Sequence, residues 1–324
     1  MPDISIRPLR EADLAEAGRI VPLAFGTFLG HPPPAPEEAA EASATTPDTD
    51  YVRTRWLADP SAAFVAELDG ALVGSVFAVH WGSVGFFGPL TVHPNYWDQS
   101  IGQRLLRPVM ERFASWGVTH AGLFTFAQSP KHLHLYQRFD FWPRFLTAIM
   151  SKPVAATDPV SGWSRFSALP ASEQEACLAT CRALTGAIYP GLDVALDIRA
   201  VQMQHLGDTV LLWDDDGSQL VGFAVCHFGP GTEAGHGKCY VKFGAIHPGP
   251  NAPREFERLL RACETLAAAE GLISLEAGVN LGRHEAYRAL LARGWRADFQ
   301  GVAMHRPNEP GYHHPGVYVI DDWR

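Results

Sequence analysis

The sequence predicts an α/β protein built as two tandem lobes, and three features point there. At 324 residues the chain is about twice the length of an ordinary domain. The predicted elements run β-α-α-β-β-β-α-β-α-β from residue 3 to about 152, and the same order begins again after a short polar linker, residues 153–162. Two phrases also recur at matching places. Leu68-Asp69-Gly70-Ala71-Leu72-Val73-Gly74 answers Trp213-Asp214-Asp215-Asp216-Gly217-Ser218-Gln219-Leu220-Val221-Gly222, and Val92-His93-Pro94 answers Ile246-His247-Pro248. The predicted domains are therefore 1–152 and 163–324.

Composition narrows the class. A hydrophobic content of 47% suffices for two ordinary cores. Against 35 Asp and Glu stand 26 Lys and Arg, a formal charge of −9. That disfavours a nucleic-acid or anionic-membrane partner and mildly favours cationic substrates. No run of 18 apolar residues is present, so no transmembrane helix is expected. The first residues, Met1 to Arg7, read as a strand without a signal-peptide core, and a cytoplasmic protein is expected. The five cysteines, Cys177, Cys181, Cys226, Cys239 and Cys263, form no C-x-x-C and read as small core residues.

Taken in order, Ile4 and Ile6 alternate with polar residues and open the first strand; a helix follows from residue 9 towards Phe25. The proline run Pro32-Pro33-Pro34 and the acidic, Ala- and Thr-rich stretch to Asp50 read as a long surface loop. Residues 51–57 form a short helix. Residues 64–68 and 72–79 form two strands joined by an Asp69-Gly70 hairpin turn. Residues 86–92 are a buried strand. Ile101, Leu105, Leu106, Val109 and Phe113 then recur at helical spacing, so a helix starts near Ser100. A strand over 121–126, a helix from Ser129-Pro130 with proline in its first turn, and a strand over 145–150 complete the half. In the second half, 164–169, 210–213, 220–225, 239–246, 272–279, 299–304 and 316–320 read as strands. Helices are expected over 173–187, 198–206, 254–270 and 283–293.

The joint between Val92 and the helix at Ser100 is the most informative stretch. A strand–loop–helix turn with Pro94, Asn95, Asp98, Ser100 and Gly102 points several N–H groups at one spot, at the positive end of a helix dipole. Such a spot suits a phosphate or pyrophosphate. Neither G-x-G-x-x-G nor G-x-x-x-x-G-K-[ST] is present. The joint resembles the coenzyme A loop of the GCN5-related N-acetyltransferases, the GNAT superfamily, with the pattern V-x-P-x-x-[RQ]-x-x-G-x-[GA]. Val92, Pro94, Ile101, Gly102 and Leu106 fit it. Trp97 departs at the Arg/Gln place. Ser100 departs at the first Gly, which costs little if its φ is negative, because its N–H remains.

The resemblance implies two lobes, each a twisted, mixed, mostly antiparallel sheet flanked by helices. It implies an N-acetyltransferase that moves an acetyl group from acetyl-CoA to a primary amine by direct attack. Leu90, Thr91 and Val92 would then hold the pantetheine and acetyl carbonyl, and the N–H groups of Gln99, Ser100, Ile101, Gly102 and Gln103 the pyrophosphate. The family phrase N-x-x-A-x-x-L-Y-x-x-x-G-F is matched by Ser129 to Phe141. Ser129 falls on the Asn, Asp140 on the Gly, and Tyr136 on the Tyr that protonates the leaving thiolate. An ordinary phenol with a pKa of about 10 is protonated at neutral pH. Leu135 and Phe139 are expected on the core face of its helix and Tyr136 at the edge of that face. In the family, the region between the first two helices commonly borders the acceptor site.

The second half departs further. After Ile246-His247-Pro248 come Gly249, Pro250, Asn251, Ala252, Pro253, Arg254 and Glu255. Two prolines lack an N–H, Glu255 places a carboxylate near the phosphate position, and Leu290 stands where Tyr136 would. The second lobe is expected to have lost cofactor binding and to wall the acceptor pocket. His132 and His134 point to different faces, so no metal is expected; His132, one turn before Tyr136, is a candidate to line the cofactor channel but reads first as a solvated surface residue. His80 and Glu67 are weak candidates for an amine-proton relay, equally at home as strand-edge residues; otherwise water is the base. Ser61, Ser75 and Ser83 lack a G-x-S-x-G elbow. The acceptor stays open, as does a homodimer. The alternative function is a catalytically inactive acyl-CoA-binding or protein-interaction module.

Overall fold

A computed structural model describes residues 4–31, 48–155 and 160–324. The first half supplies β1 (Ile4–Pro8), α1 (Leu14–Phe28), α2 (Tyr51–Ala58), β2 (Ala63–Leu68), β3 (Ala71–Trp81), β4 (Val84–Val92), α3 (Ile101–Ser115), β5 (His120–Thr125), α4 (Pro130–Gln137) and β6 (Trp142–Pro153). The second supplies β7 (Trp163–Arg165), α5 (Ala171–Ile188), α6 (Ala195–Gln204), β8 (Gly207–Trp213), β9 (Leu220–Gly229) and β10 (Gly235–Ile246). It ends with α7 (Ala252–Ala269), β11 (Ser274–Asn280), α8 (His284–Ala292), β12 (Arg296–Arg306) and β13 (Val319–Ile320).

Local chemistry accounts for most of these elements. Asp69 and Gly70 both take positive φ, 49° and 83°, as a two-residue hairpin turn requires. The apolar stripe of α3 buries Ile101, Leu105, Leu106, Val109 and Phe113. Transfer of each from water is worth about 2 kcal/mol, which makes α3 the main prop of the first half's sheet. The chain leaves β4 and β10 by the same turn. The amide of His93 donates to Val73 O, and that of His247 to Val221 O, both at 2.9 Å. Two expected bounds shift. The strand predicted over 164–169 stops at Arg165, because Asp208 accepts the amide of Ser167 (3.2 Å) and its hydroxyl (2.5 Å), bending the chain into a 3-10 turn. The helix predicted from Ile198 begins at Ala195, whose amide is capped by Asp193 Oδ1 at 2.9 Å.

Among the described residues, all strands belong to one sheet, in the order β1-β2-β3-β4-β5-β12-β6-β11-β10-β9-β8-β7, with β13 laid against β10. The place beside β5 is taken by β12, from Val302↔Thr125 to Arg306↔Ala121. The place beside β11 is taken by β6, from Ser274↔Pro153 to Asn280↔Thr147. Each half thus hands its sixth strand to the other, and the two exchanged strands pair at the centre. The linker after Pro153 separates the halves in sequence, but the sheet has no break there.

Buried charge ties the same interface. Arg55 on α2 meets Glu233 at 3.0 Å; Lys242 on β10 meets Glu233 at 3.0 Å and Asp197 at 3.1 Å. Trp81 Nε1 donates to Asp197, and Arg55 Nη1 donates to the carbonyl of Gly88. Burial alone would raise the Glu233 carboxyl, but Arg55 and Lys242 hold it well below the usual carboxylate range. Removing one partner of such a buried pair costs on the order of 3–5 kcal/mol, so this set fixes the halves against each other. All five cysteines are free and buried, as core residues are.

Candidate active site

β4 and β5 run parallel but pair only from Val84↔His120 to Phe86↔Gly122. Beyond that point β4 carries a bulge against β3: Ala78 faces Phe87 and Val76 faces Leu90, so Gly88 and Pro89 together oppose Phe77. Pro89 has no N–H to donate, and the Gly88 carbonyl is turned to Arg55. The strands part, and a cavity of about 1030 Å³ passes through the gap.

Side chains alternate on β5 and so define two sides of the cavity. Ala121 and Leu123 pack with α3 and α4, and Thr125 lies beside Tyr136. Gly122, Phe124 and Phe126 face the opposite way, towards Trp323, Phe299 and α1.

On the α3 side the cavity is lined by Leu90, Thr91, Val92, Trp97, Asp98, Ser100, Ile101, Gly102 and Gln103. Gln99 and Ser129 are not part of this lining. Ser129 instead caps α4, accepting the His132 amide at 3.4 Å. Ser100 adopts φ 60°, ψ 18°, the left-handed region, so the condition under which its departure from Gly would cost little, a negative φ, does not hold. The turn demands a conformation that glycine adopts without cost, and Ser100 bears the strain instead. A left-handed residue followed by helical ones turns successive N–H groups to one side, and the Ser100 side chain does not cap them. Among the described residues, the first N–H groups of α3 therefore have no intrahelical or side-chain partner. A Cβ at Gly102 would stand 3.3 Å from Leu135 Cδ2 and 3.5 Å from Leu90 Cδ2, so the absence of a side chain there keeps the helix start close to β4. Trp97 donates from Nε1 to Val92 O at 2.8 Å, securing the turn by its ring. Asp98 is exposed and paired with Lys131 at 2.7 Å, and Lys131 lies over the Trp97 ring. Arg138 adds a second cation at this mouth.

Tyr136 lines the cavity beside Thr125 and packs on Phe87, ring centroids 5.7 Å apart. It is the buried residue of α4, whereas Leu135 and Phe139 are only half-buried, the reverse of the expected order. The short helix docks by the phenol because Tyr136 turns inward against Phe87. Burial pushes its pKa up to about 12, so the ordinary value is corrected too. His132 is no surface residue: it lines the cavity between Phe28 (4.8 Å) and Phe126 (5.8 Å), and burial lowers its pKa. Its i, i+4 spacing to Tyr136 was the signal for that shared face. The other relay candidates lie elsewhere. Glu67 is paired with Arg7 at 2.7 Å, and His80 stacks on Trp116 at the rim of a separate cavity of about 40 Å³.

On the far side the lining comes from α1 (Phe25, Phe28), the start of α2 (Asp50, Tyr51, Val52), Phe299, Trp323 and Arg324. Sequence reasoning missed the last two, which come from the second half of the chain and follow no motif. Burial raises the Asp50 carboxyl, against the hydrogen bond it accepts from the Arg53 amide. The loop expected from the proline run to Asp50 falls outside the described residues between 32 and 47.

The second half repeats the gap and fills it. β10 and β11 run parallel from Lys238↔Ser274 to Val241↔Ala277 and then part. Into the gap goes β13, pairing Gly244↔Ile320 and Ala245↔Val319, while Tyr318 O accepts the Ile246 amide at 3.1 Å. Gly244, Ala245 and Ile246 are the counterparts of Leu90, Thr91 and Val92. Tyr318 also covers the start of α7, its ring 5.3 Å from that of Phe256. Among the described residues, no group of three His, Cys, Asp or Glu side chains could hold a metal ion, and no helix is long and apolar enough to cross a membrane.

A parallel strand pair splayed beside an uncapped helix start is the frame of proteins that transfer acyl groups from acyl-coenzyme A. Residues 31–141 match the model of the Acetyltransferase (GNAT) family, and the whole chain shares the fold of a tandem GNAT protein. Solved structures share this fold over nearly all of it. A candidate acetyltransferase from Pyrococcus horikoshii aligns with a TM-score of 0.67 at 15% identity, covering 99% of this chain and 95% of its own. A GCN5-related N-acetyltransferase from Sphaerobacter thermophilus aligns with a TM-score of 0.59 at 17% identity, covering 94% and 96%. A tandem GNAT protein from the clavulanic acid biosynthesis pathway gives 0.51 at 13%, covering 94% and 98%. No curated protein matches the chain.

Proposed function

We propose that the protein is an N-acetyltransferase that binds acetyl-CoA in the gap between β4 and β5 and passes its acetyl group to a primary amine. The observation that carries this reading is a single cavity reached from one side by the free N–H groups of α3 and by Tyr136, and from the other by an aromatic chamber. The pyrophosphate would lie on the N–H groups of Ser100 to Gln103, with Lys131 and Arg138 nearby. The pantetheine would follow the outer edge of Leu90 and Thr91. The amine nitrogen attacks the thioester carbonyl carbon, and the C–S bond breaks. Water takes the proton the amine loses, Tyr136 gives its proton to the departing thiolate, and the tyrosinate regains a proton from water before the next turnover. The test is thiol release from acetyl-CoA with a panel of primary amines. Amine-dependent release supports transfer; tight binding with no release from any amine would identify an inactive acyl-CoA-binding module instead.

One cofactor per chain is expected. The crevice of the second half is filled by its own strand β13, in addition to the proline-interrupted helix start. Calorimetric titration with acetyl-CoA should saturate at one equivalent, and two equivalent sites would refute this assignment.

A further inference from the structure

We infer that Trp323, supplied by the second half of the chain, is the residue that sets which acceptor fits, and that the acceptor is a primary amine carrying a flat apolar body. This rests on the acetyltransferase reading of the same cavity. β13 fills the crevice of the second half, and the chain then crosses to the first half, where Trp323 reaches the point at which β4 and β5 part. Its ring lies on Gly122, where any Cβ would collide with it, and is stacked with Phe86 at 6.5 Å and 12°. Gly122 is thus a seat for the indole. The indole cannot drift: Nε1 donates to Tyr312 Oη at 3.1 Å, Tyr312 donates to Asp321 at 2.8 Å, and Asp321 is paired with the buried Arg283 at 3.0 Å. His313 stands edge-on at 4.5 Å. Trp323 therefore forms a rigid floor to the acceptor chamber, directly behind the gap where a thioester would lie.

The rest of that chamber fits such an amine. Phe25, Phe28, Tyr51, Phe126 and Phe299 line it. Among the described residues, the charged side chains on this side are Asp48, Asp50 and Arg324. The Arg324 guanidinium is drawn away to Glu276 (2.5 Å) and Asp322 (3.1 Å), so the acidic lining is Asp48 and Asp50, each also accepting one backbone amide, from His236 (2.6 Å) and Arg53 (2.8 Å). An aromatic chamber with acidic groups at its edge favours a cation with a planar apolar portion over a polyhydroxylated or polycationic amine.

The test compares 2-phenylethylamine, 2-(2-naphthyl)ethylamine and spermidine as acceptors for the wild type, Trp323→Ala and Trp323→Phe. In the wild type, kcat/KM for 2-phenylethylamine should exceed that for spermidine about tenfold or more. In Trp323→Ala the ratio of the naphthyl to the phenyl amine should rise about tenfold, the scale on which pocket shape discriminates apolar groups. Trp323→Phe should shift the same ratio in the same direction by less, and it carries the test if the alanine variant does not fold. A merely structural role would lower both amines equally and leave the ratio unchanged, which would overturn the inference, as would a wild-type preference for spermidine. Calorimetric binding of 2-phenylethylamine without acetyl-CoA separates the two readings. Binding that weakens in the Trp323 variants, with no thiol release, would refute transfer and keep the chamber. Release with spermidine but not with the aromatic amines would keep transfer and refute the chamber.

Discussion

Tyr136→Phe is expected to lower turnover on the order of 10²-fold while leaving acetyl-CoA affinity near wild type. The variant keeps the ring that packs on Phe87 and removes only the hydroxyl beside Thr125. A thiolate leaving group, with a pKa of about 8.5 by analogy with cysteine, needs a donor that is itself protonated and close. Burial pushes Tyr136 up to about 12, so it keeps its proton across the working range, and any alkaline fall in activity below about pH 10 must come from another group. A phenol raised above its unfolded value favours the folded state below pH ~10 and loses that contribution as pH climbs towards the folded value. Single-turnover kinetics with a good acceptor check the first statement; a wild-type rate for the Phe variant would leave Tyr136 as packing alone.

Gly102→Pro is expected to abolish acetyl-CoA binding, with loss of at least 10²-fold in affinity. The change removes one of the free N–H groups at the start of α3 and disfavours the helical conformation of Ile101 before it. It also puts ring atoms where even a Cβ would sit 3.3 Å from Leu135. The side chains a Cβ at Gly102 would meet, Leu135 and Leu90, both belong to the first half, so thermal unfolding should report a folded second half. Unchanged affinity by calorimetry would move the pyrophosphate elsewhere.

What the sequence disclosed is what short-range chemistry decides. Asp69-Gly70 needs positive φ wherever it lies, and Ile101, Leu105, Leu106, Val109 and Phe113 share a face by helical geometry alone. The repeated turns after Val92 and Ile246 were legible because the same residues make the same hydrogen bond twice. Other features depend on partners far away in the chain. Periodicity shows that residues 299–304 form a strand, not that this strand lies beside β5. Val319 and Ile320 look like any short strand, and their filling of a crevice depends on the gap between β10 and β11. The φ of Ser100 stayed open in the sequence because non-glycine residues seldom take positive φ, and only the surrounding turn imposes it. Tyr136 was placed at the edge of its helix's core face instead of at its centre, since a short helix is oriented by its docking surface more than by its own pattern.

The exchange of β6 and β12 governs how the molecule can be made. Thr125 waits for Val302 to complete its edge of the sheet, a closure across most of the second half, and contacts at such separation form slowly. While the later residues are being synthesised, β5 has a bare edge and β6 projects as an unpaired arm, a state that favours association with other chains. Once the arms have crossed, neither half can unfold without stripping a strand from the other, so a single cooperative transition replaces two. A protease cut between β6 and β7 would yield not two separable domains but two fragments clasped by each other's strands.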